Sequence, residues 1–109
     1  MYLNFEEFRT KLKSLGLPVF RDAAVKDTPY PYYVYSFSTR KRVMASSKEH
    51  AIVSEYRVSL FTKGVESELD PFYHEFNEYP FESFSGFPGD ENDETVTNFT
   101  SFIDVIEHV

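Results

Sequence analysis

Ala51-Ile52-Val53-Ser54-Glu55-Tyr56-Arg57-Val58-Ser59-Leu60-Phe61-Thr62 is the stretch whose reading decides the fold. Ile52, Tyr56, Val58 and Leu60 fall on one side of an extended chain, and Glu55, Arg57 and Ser59 fall on the other. Side chains of a strand alternate with period two, so this is the inside–outside pattern of an antiparallel sheet with one wet side. Lys63-Gly64 ends the strand. Upstream, Tyr32 to Thr39 is aromatic or β-branched and alternates in the same way. Tyr33, Tyr35 and Phe37 share one face, and Tyr32, Val34 and Ser36 share the other. Between these strands, Arg40-Lys41-Arg42 and Ser46-Ser47-Lys48 read as the polar tip of a hairpin loop.

Moving outward, the chain opens with a capped helix over residues 5–15. Asn4 suits the N-cap and Glu7 stands three residues on, a variant of the capping box. Phe5, Phe8, Leu12 and Leu15 recur at steps of three and four and form an apolar stripe. Gly16 sits where a left-handed residue ends a helix, and Pro18 blocks continuation. Pro18 to Arg21 reads as a short extended piece, and Ala23 to Pro31 as a turn-rich connection. A second helix is expected from about Glu66 to Glu78, with Leu69, Phe72, Tyr73 and Phe76 inward. Pro71 is tolerated only in a first turn, so a start near Asp70 is an equal reading. Tyr79 to Phe87 reads as a strand with Phe81 and Phe84 buried. Gly86 to Glu94 is an acidic turn-rich loop. Thr95 to Glu107 is a last strand whose Val96, Phe99 and Phe102 are out of phase and call for a bulge. The order helix, short strand, hairpin, helix, hairpin predicts a single α+β domain spanning residues 1–109. Its antiparallel or mixed sheet has about four to five strands, with two helices on one face.

The chain has 109 residues, with 12 Phe and 8 Tyr but no Trp or Cys. Each aromatic ring buries about 150–250 Å², so a core this small cannot hide them all, and the surplus favours protein contacts. Absent cysteine excludes disulfides, thiol nucleophiles and cysteine-based metal sites. No apolar stretch suits a signal peptide or membrane span, so a soluble protein is expected. A net charge of −7 repels nucleic-acid phosphates at long range.

Candidate chemistry is sparse. His50, His74 and His108 lack the close spacing of metal ligands, and His74 with Glu75 and Glu78 reads as surface. Asp90, Glu91, Asp93 and Glu94 lack the spaced pattern of a calcium loop. There is no nucleophile elbow and no phosphate-binding glycine loop. The expectation is a non-enzyme without cofactor or metal. Arg40, Lys41 and Arg42 form the basic run, which reads as a solubilising hairpin tip, as a surface that pairs with an acidic face of another copy or partner, or, least of the three, as a contact to nucleic acid.

Four stretches in order resemble a phage family. Phe5-Glu6-Glu7-Phe8-Arg9 with Leu15-Gly16-Leu17-Pro18-Val19, Pro29-Tyr30-Pro31-Tyr32-Tyr33-Val34-Tyr35, Tyr56-Arg57-Val58-Ser59-Leu60-Phe61-Thr62-Lys63 and Glu66-Ser67-Glu68-Leu69 look like the tail-completion (tail terminator) proteins of long-tailed bacteriophages and prophages. A family proline is displaced here to Pro71, and the C-terminal third matches only as strand–loop–strand. The resemblance implies a ring, commonly a hexamer, that caps the tail tube and meets the head connector. DNA would pass through its lumen without specific binding and no membrane would be involved. The protein would assemble in the bacterial host cytoplasm and reside in the virion, at the head-proximal end of the tail. On this reading Arg40, Lys41, Arg42, Tyr30 and Tyr32 serve the contact between subunits or with partners. Asp90, Glu91, Asp93 and Glu94 face the lumen or a partner. A head-completion adaptor is the nearest competitor. An acidic DNA mimic that inhibits a host nuclease is the competitor from another class.

Overall fold

The computed structural model describes residues 2–44 and 50–108. Its frame is an antiparallel trio. Strand β1 (Leu3–Asn4) leads into helix α1 (Phe5–Lys13), followed by β2 (Val19–Arg21), β3 (Tyr32–Met44) and β4 (His50–Thr62). A 3-10 turn (Glu66–Leu69) runs into α2 (Asp70–Glu75), then β5 (Ser85–Pro88) and β6 (Thr97–His108). The six-stranded sheet has the order β1-β6-β4-β3-β2, with β5 also paired to β6. β4 is central, antiparallel to both β3 and β6. β2 pairs parallel to β3, and β1 pairs parallel to β6, which makes the sheet mixed. Among the described residues no helix is long and apolar enough to cross a membrane.

The face that looks inward is the one the alternation selects. Tyr33 stands opposite Leu60, which stands opposite Phe99; Tyr35 aligns with Val58, and Tyr56 with Ile103. Both helices cover this face. α1 buries Phe8 and Leu12 completely, and α2 brings in Phe72 and Phe76. Phe72 and Phe76, one helical turn apart, stack at 4.2 Å, and Phe8 lies 6.3 Å from Phe76, so rings join the two helices. Burying such a side chain contributes about 1.5–3 kcal/mol, and offset or edge-on ring pairs add about 0.5–1.5 kcal/mol.

The caps follow the sequence closely. The Asn4 side chain accepts from the Glu7 amide at 2.8 Å, and the Glu7 carboxylate accepts from the Asn4 amide at 3.1 Å. Gly16 ends the first helical segment at φ +86°, where a side chain would be strained.

Four expectations need correction. Arg40, Lys41 and Arg42 are not on a loop; they lie within β3, and of the presumed tip Ser46 to Lys48 fall outside the described residues. The bulge is not in β6, which pairs with β4 in unbroken register from Thr97 to His108; it is in β3, between Phe37 and Thr39. Phe102 simply belongs to the outer face, and Val96 precedes the strand, where it is buried. Residues 79–84 are not a continuous strand. Phe81 makes one bridge to Ile103, and β5 begins only at Ser85. The second helix ends at Glu75, short of Glu78. Both proposed starts are realised, as a 3-10 turn from Glu66 and an α-helix from Asp70 with Pro71 in its first turn. β1 was not anticipated, because two residues carry no periodicity.

Candidate functional site

The face away from the helices is read in rows across the strands. One row runs Phe20, Val34, Ser59, Thr100, Ser85; the next runs Tyr32, Phe61, Asn98, Phe87. The first row is small and polar at its centre. The second is aromatic at one end. Together they shape an open groove of about 450 Å³ with Asp22 on one bank and Glu82, Ser83 and Ser85 on the other. Its floor is a polar relay: the Ser59 and Thr100 hydroxyls lie 3.1 Å apart, and the Thr100 hydroxyl donates to Asn98 Oδ1 at 2.7 Å. Arg57 stands exposed at one end.

At the other end Tyr30, Tyr32 and Phe61 stack in succession, with ring centroids 5.4 Å and 5.3 Å apart. Phe20 meets Tyr32 edge-on at 5.8 Å. The period-two register explains Phe61: it stands directly opposite Tyr32 on the same face. The ladder is half-buried, with ring faces packed on one another.

The acidic loop docks onto this ladder. The Tyr30 hydroxyl donates to Asp90 Oδ2 at 3.1 Å. Lys63 Nζ pairs with Asp93 at 3.3 Å and sits 5.9 Å over the Tyr30 ring. Asp93 Oδ1 accepts from the Thr95 amide at 2.9 Å and its hydroxyl at 2.6 Å, and Asp90 Oδ1 accepts from the Asn92 amide at 2.9 Å. Gly89 permits the closure, because a Cβ there would lie 2.7 Å from Val96 Cγ1 and 3.0 Å from the Asn98 amide nitrogen. The hydrogen bonds from Thr95 hold the Asp93 carboxyl below its usual range, with Lys63 adding to the effect. Tyr30 is held above the usual phenol value, first by desolvation and then by its bond to Asp90; Tyr32 shifts the same way through burial and Asp90.

Two predicted sets are thus brought together: Tyr30 and Tyr32 with the loop that carries Asp90, Glu91, Asp93 and Glu94. The third is not. Arg40 lies eight residues along β3 from Tyr32, a span of about 26 Å at strand rise. Its guanidinium pairs with Glu107 and donates from Nε to Ser54 at 3.3 Å. Lys41 lies 3.9 Å from Asp104. Arg40 and Lys41 therefore already face carboxylates of β6 within their own chain. Sequence reading missed Lys63, taken only as a strand end, and Phe61; aligning Tyr32 to Thr39 against Ala51 to Thr62 would have found the second. Among the described residues no group of three or more His, Asp or Glu side chains is placed to hold a metal ion. The chain matches no protein-family model, and no curated protein matches it in sequence.

Proposed function

We propose that this chain is a structural virion subunit of the tail-completion kind. It assembles with copies of itself into a ring, six-membered by the resemblance, that caps a phage tail tube and offers a surface to the head connector. The observation that carries the reading is where the four family-like stretches come to rest. Separate in sequence, they form α1, β2, the first half of β3, the second half of β4 and the 3-10 turn, and they meet in one core through Val19 beside Tyr33, Tyr33 beside Leu60, and Leu69. A resemblance confined to scattered surface segments would carry less weight, since segments that pack together constrain one another.

The exposed chemistry suits contact. The ladder Tyr30, Tyr32 and Phe61 is rich in the ring types that dominate protein interfaces, and hydrogen-bonded polar groups surround it. The adaptor reading shares these surfaces. The DNA-mimic reading is less well supported, because Asp90 and Asp93 are turned to Tyr30, Lys63 and Thr95 instead of along an extended face.

The deciding experiment is a phage lacking this protein, viewed by electron microscopy. Tails of uncontrolled length identify a terminator; tails of normal length unjoined to heads identify an adaptor. Normal infectious virions from the deletion would end the proposal.

A further inference from the structure

The two lateral borders of the sheet differ in kind. On one side, β2 covers β3 only from Tyr33 to Tyr35, and the Asp22 amide then bonds to the Tyr35 carbonyl as the chain turns away. From Ser36 to Met44 the outer edge of β3 has no strand partner among the described residues. That is an open edge of about 30 Å at strand rise, interrupted by the bulge after Phe37. On the other side, β6 is lined by β5, by the bridge at Phe81 and by β1. There the outermost strand is β5, whose four residues are all exposed.

Charge separates along the same direction. All 11 lysines and arginines fall within residues 1–63, and most of the 18 acids follow. The β2–β3 border carries Arg21, Arg40, Lys41 and Arg42 with one acid, Asp22, beside Arg21, all exposed; the β5 border is flanked by Glu82, Glu91 and Glu94, all exposed. Arg40 and Lys41 reach across the sheet to Glu107 and Asp104, yet their side chains keep 53% and 61% of their surface in solvent, so a second carboxylate can approach. Each border also has an exposed phenylalanine beside it: Phe37, 48% exposed, on β3, and Phe87, 53% exposed, on β5. These rings are aromatic anchors of the sort that dominate interface energy.

We propose that the free edge of β3 in one copy receives the β5 edge of the next, so that the sheet continues from subunit to subunit. The contact is heterologous. A two-fold pairing of β3 with β3 would set Arg40, Lys41 and Arg42 against themselves, and β5 with β5 would bring together the acids that flank it; like charges placed opposite destabilise a strand pair. Only the mixed pairing matches sign, and a mixed contact closes into a ring when the rotation between copies allows it. Phe37 and Phe87 lie on opposite faces of the sheet, so each packs against the neighbour on its own side.

This assignment rests on the ring reading above, and its test separates the two. The chain has no cysteine, so cysteines can be placed at will. Ser38→Cys or Thr39→Cys puts a thiol on the β3 edge, and Ser85→Cys puts one on β5. Paired strands hold opposed Cα atoms about 4.5–5.5 Å apart, within disulfide reach. Under oxidised glutathione, mixing a β3-edge variant with the β5-edge variant should give mixed dimers well above either variant alone, and the double variant should give a ladder of covalent oligomers. Arg42→Glu should lower the mixed yield several-fold, and adding Glu91→Lys to the β5-edge partner should restore it. Mixed yields no greater than homotypic ones overturn this interface. If the native protein still associates by light scattering, the ring reading survives that result. A ladder from a protein whose deletion leaves virions normal has the opposite meaning: the interface stands and the tail role falls.

Discussion

The two faces of one sheet are built from the same residue class and used differently. Under the helices, Phe8, Phe72, Phe76 and Tyr33 are essentially fully buried, and rings meet rings from three elements. On the open face, Tyr30, Tyr32 and Phe61 form a single ladder with one side in water. The aromatic excess is therefore divided between them. What differs is the company: Phe8, Phe72 and Phe76 pack among other rings, whereas the outer rings touch a lysine and a carboxylate. The inner face accounts for stability, and the outer face is free to be recognised.

Breaking the inner face should have the largest effect. Phe72→Ala removes a ring that touches Tyr33, Phe76, Phe81 and Phe84. It should cost about 3–5 kcal/mol in urea unfolding. A loss under about 1 kcal/mol would mean that α2 is not packed as described. Next is alkaline unfolding. Burial pushes the Tyr33 phenol well above its ordinary value. A raised folded value stabilises fully below the unfolded phenol's pKa and is lost as pH rises from there toward the folded value. The protein should weaken above about pH 10, and Tyr33→Phe should flatten that loss. An identical alkaline limb in the variant would dismiss Tyr33 as the cause.

Asn4→Ala removes the side-chain half of the capping box, the bond accepted from the Glu7 amide, and should cost about 1 kcal/mol. On the outer face, Tyr30→Phe deletes only the bond to Asp90 and should leave global stability within about 0.5 kcal/mol. It should, however, speed hydrogen exchange in residues 89–96. The smallest effect is acidic. The depressed Asp93 value means that its bonds to Thr95 and Lys63 are intact above the ordinary carboxylate range and are lost as pH falls through the folded value. Loop protection should therefore drop below about pH 4 while the inner face stays folded. Simultaneous loss of both would show that the two faces are one cooperative unit.

Much of this contrast was legible in the chain. The alternation in Ala51 to Thr62 and in Tyr32 to Thr39 named Tyr33, Tyr35, Tyr56, Val58 and Leu60 as inward, because a face buried under helices imposes period two; Phe37 shares that face but is exposed beyond the helices, and Val53 is buried on the other face. The first helix and its cap were legible because Asn4, Glu7 and Gly16 act locally. The end of the sequence was harder to read. Phe99 and Phe102 are both large and apolar, yet they lie on opposite faces, since the open face also accepts rings and composition alone does not mark the inside. Arg40 to Arg42 suggested a loop because charge is a surface signal, and an exposed hairpin arm is as wet as a loop. The docking of the acidic loop on Tyr30 joins residues 60 positions apart, which no local pattern encodes.

The placement of β4 at the centre has a kinetic consequence. Its pairing with β3 closes through a short connection, but its pairing with β6 joins Thr62 to Thr97 and Ala51 to His108. The entropy of drawing so long a segment into register comes due before the second ladder rewards it. The early hairpin should thus wait, one border of its middle strand uncovered, until the C-terminal strand arrives. That interval is when a crowded cell poses the greatest risk of wrong partners.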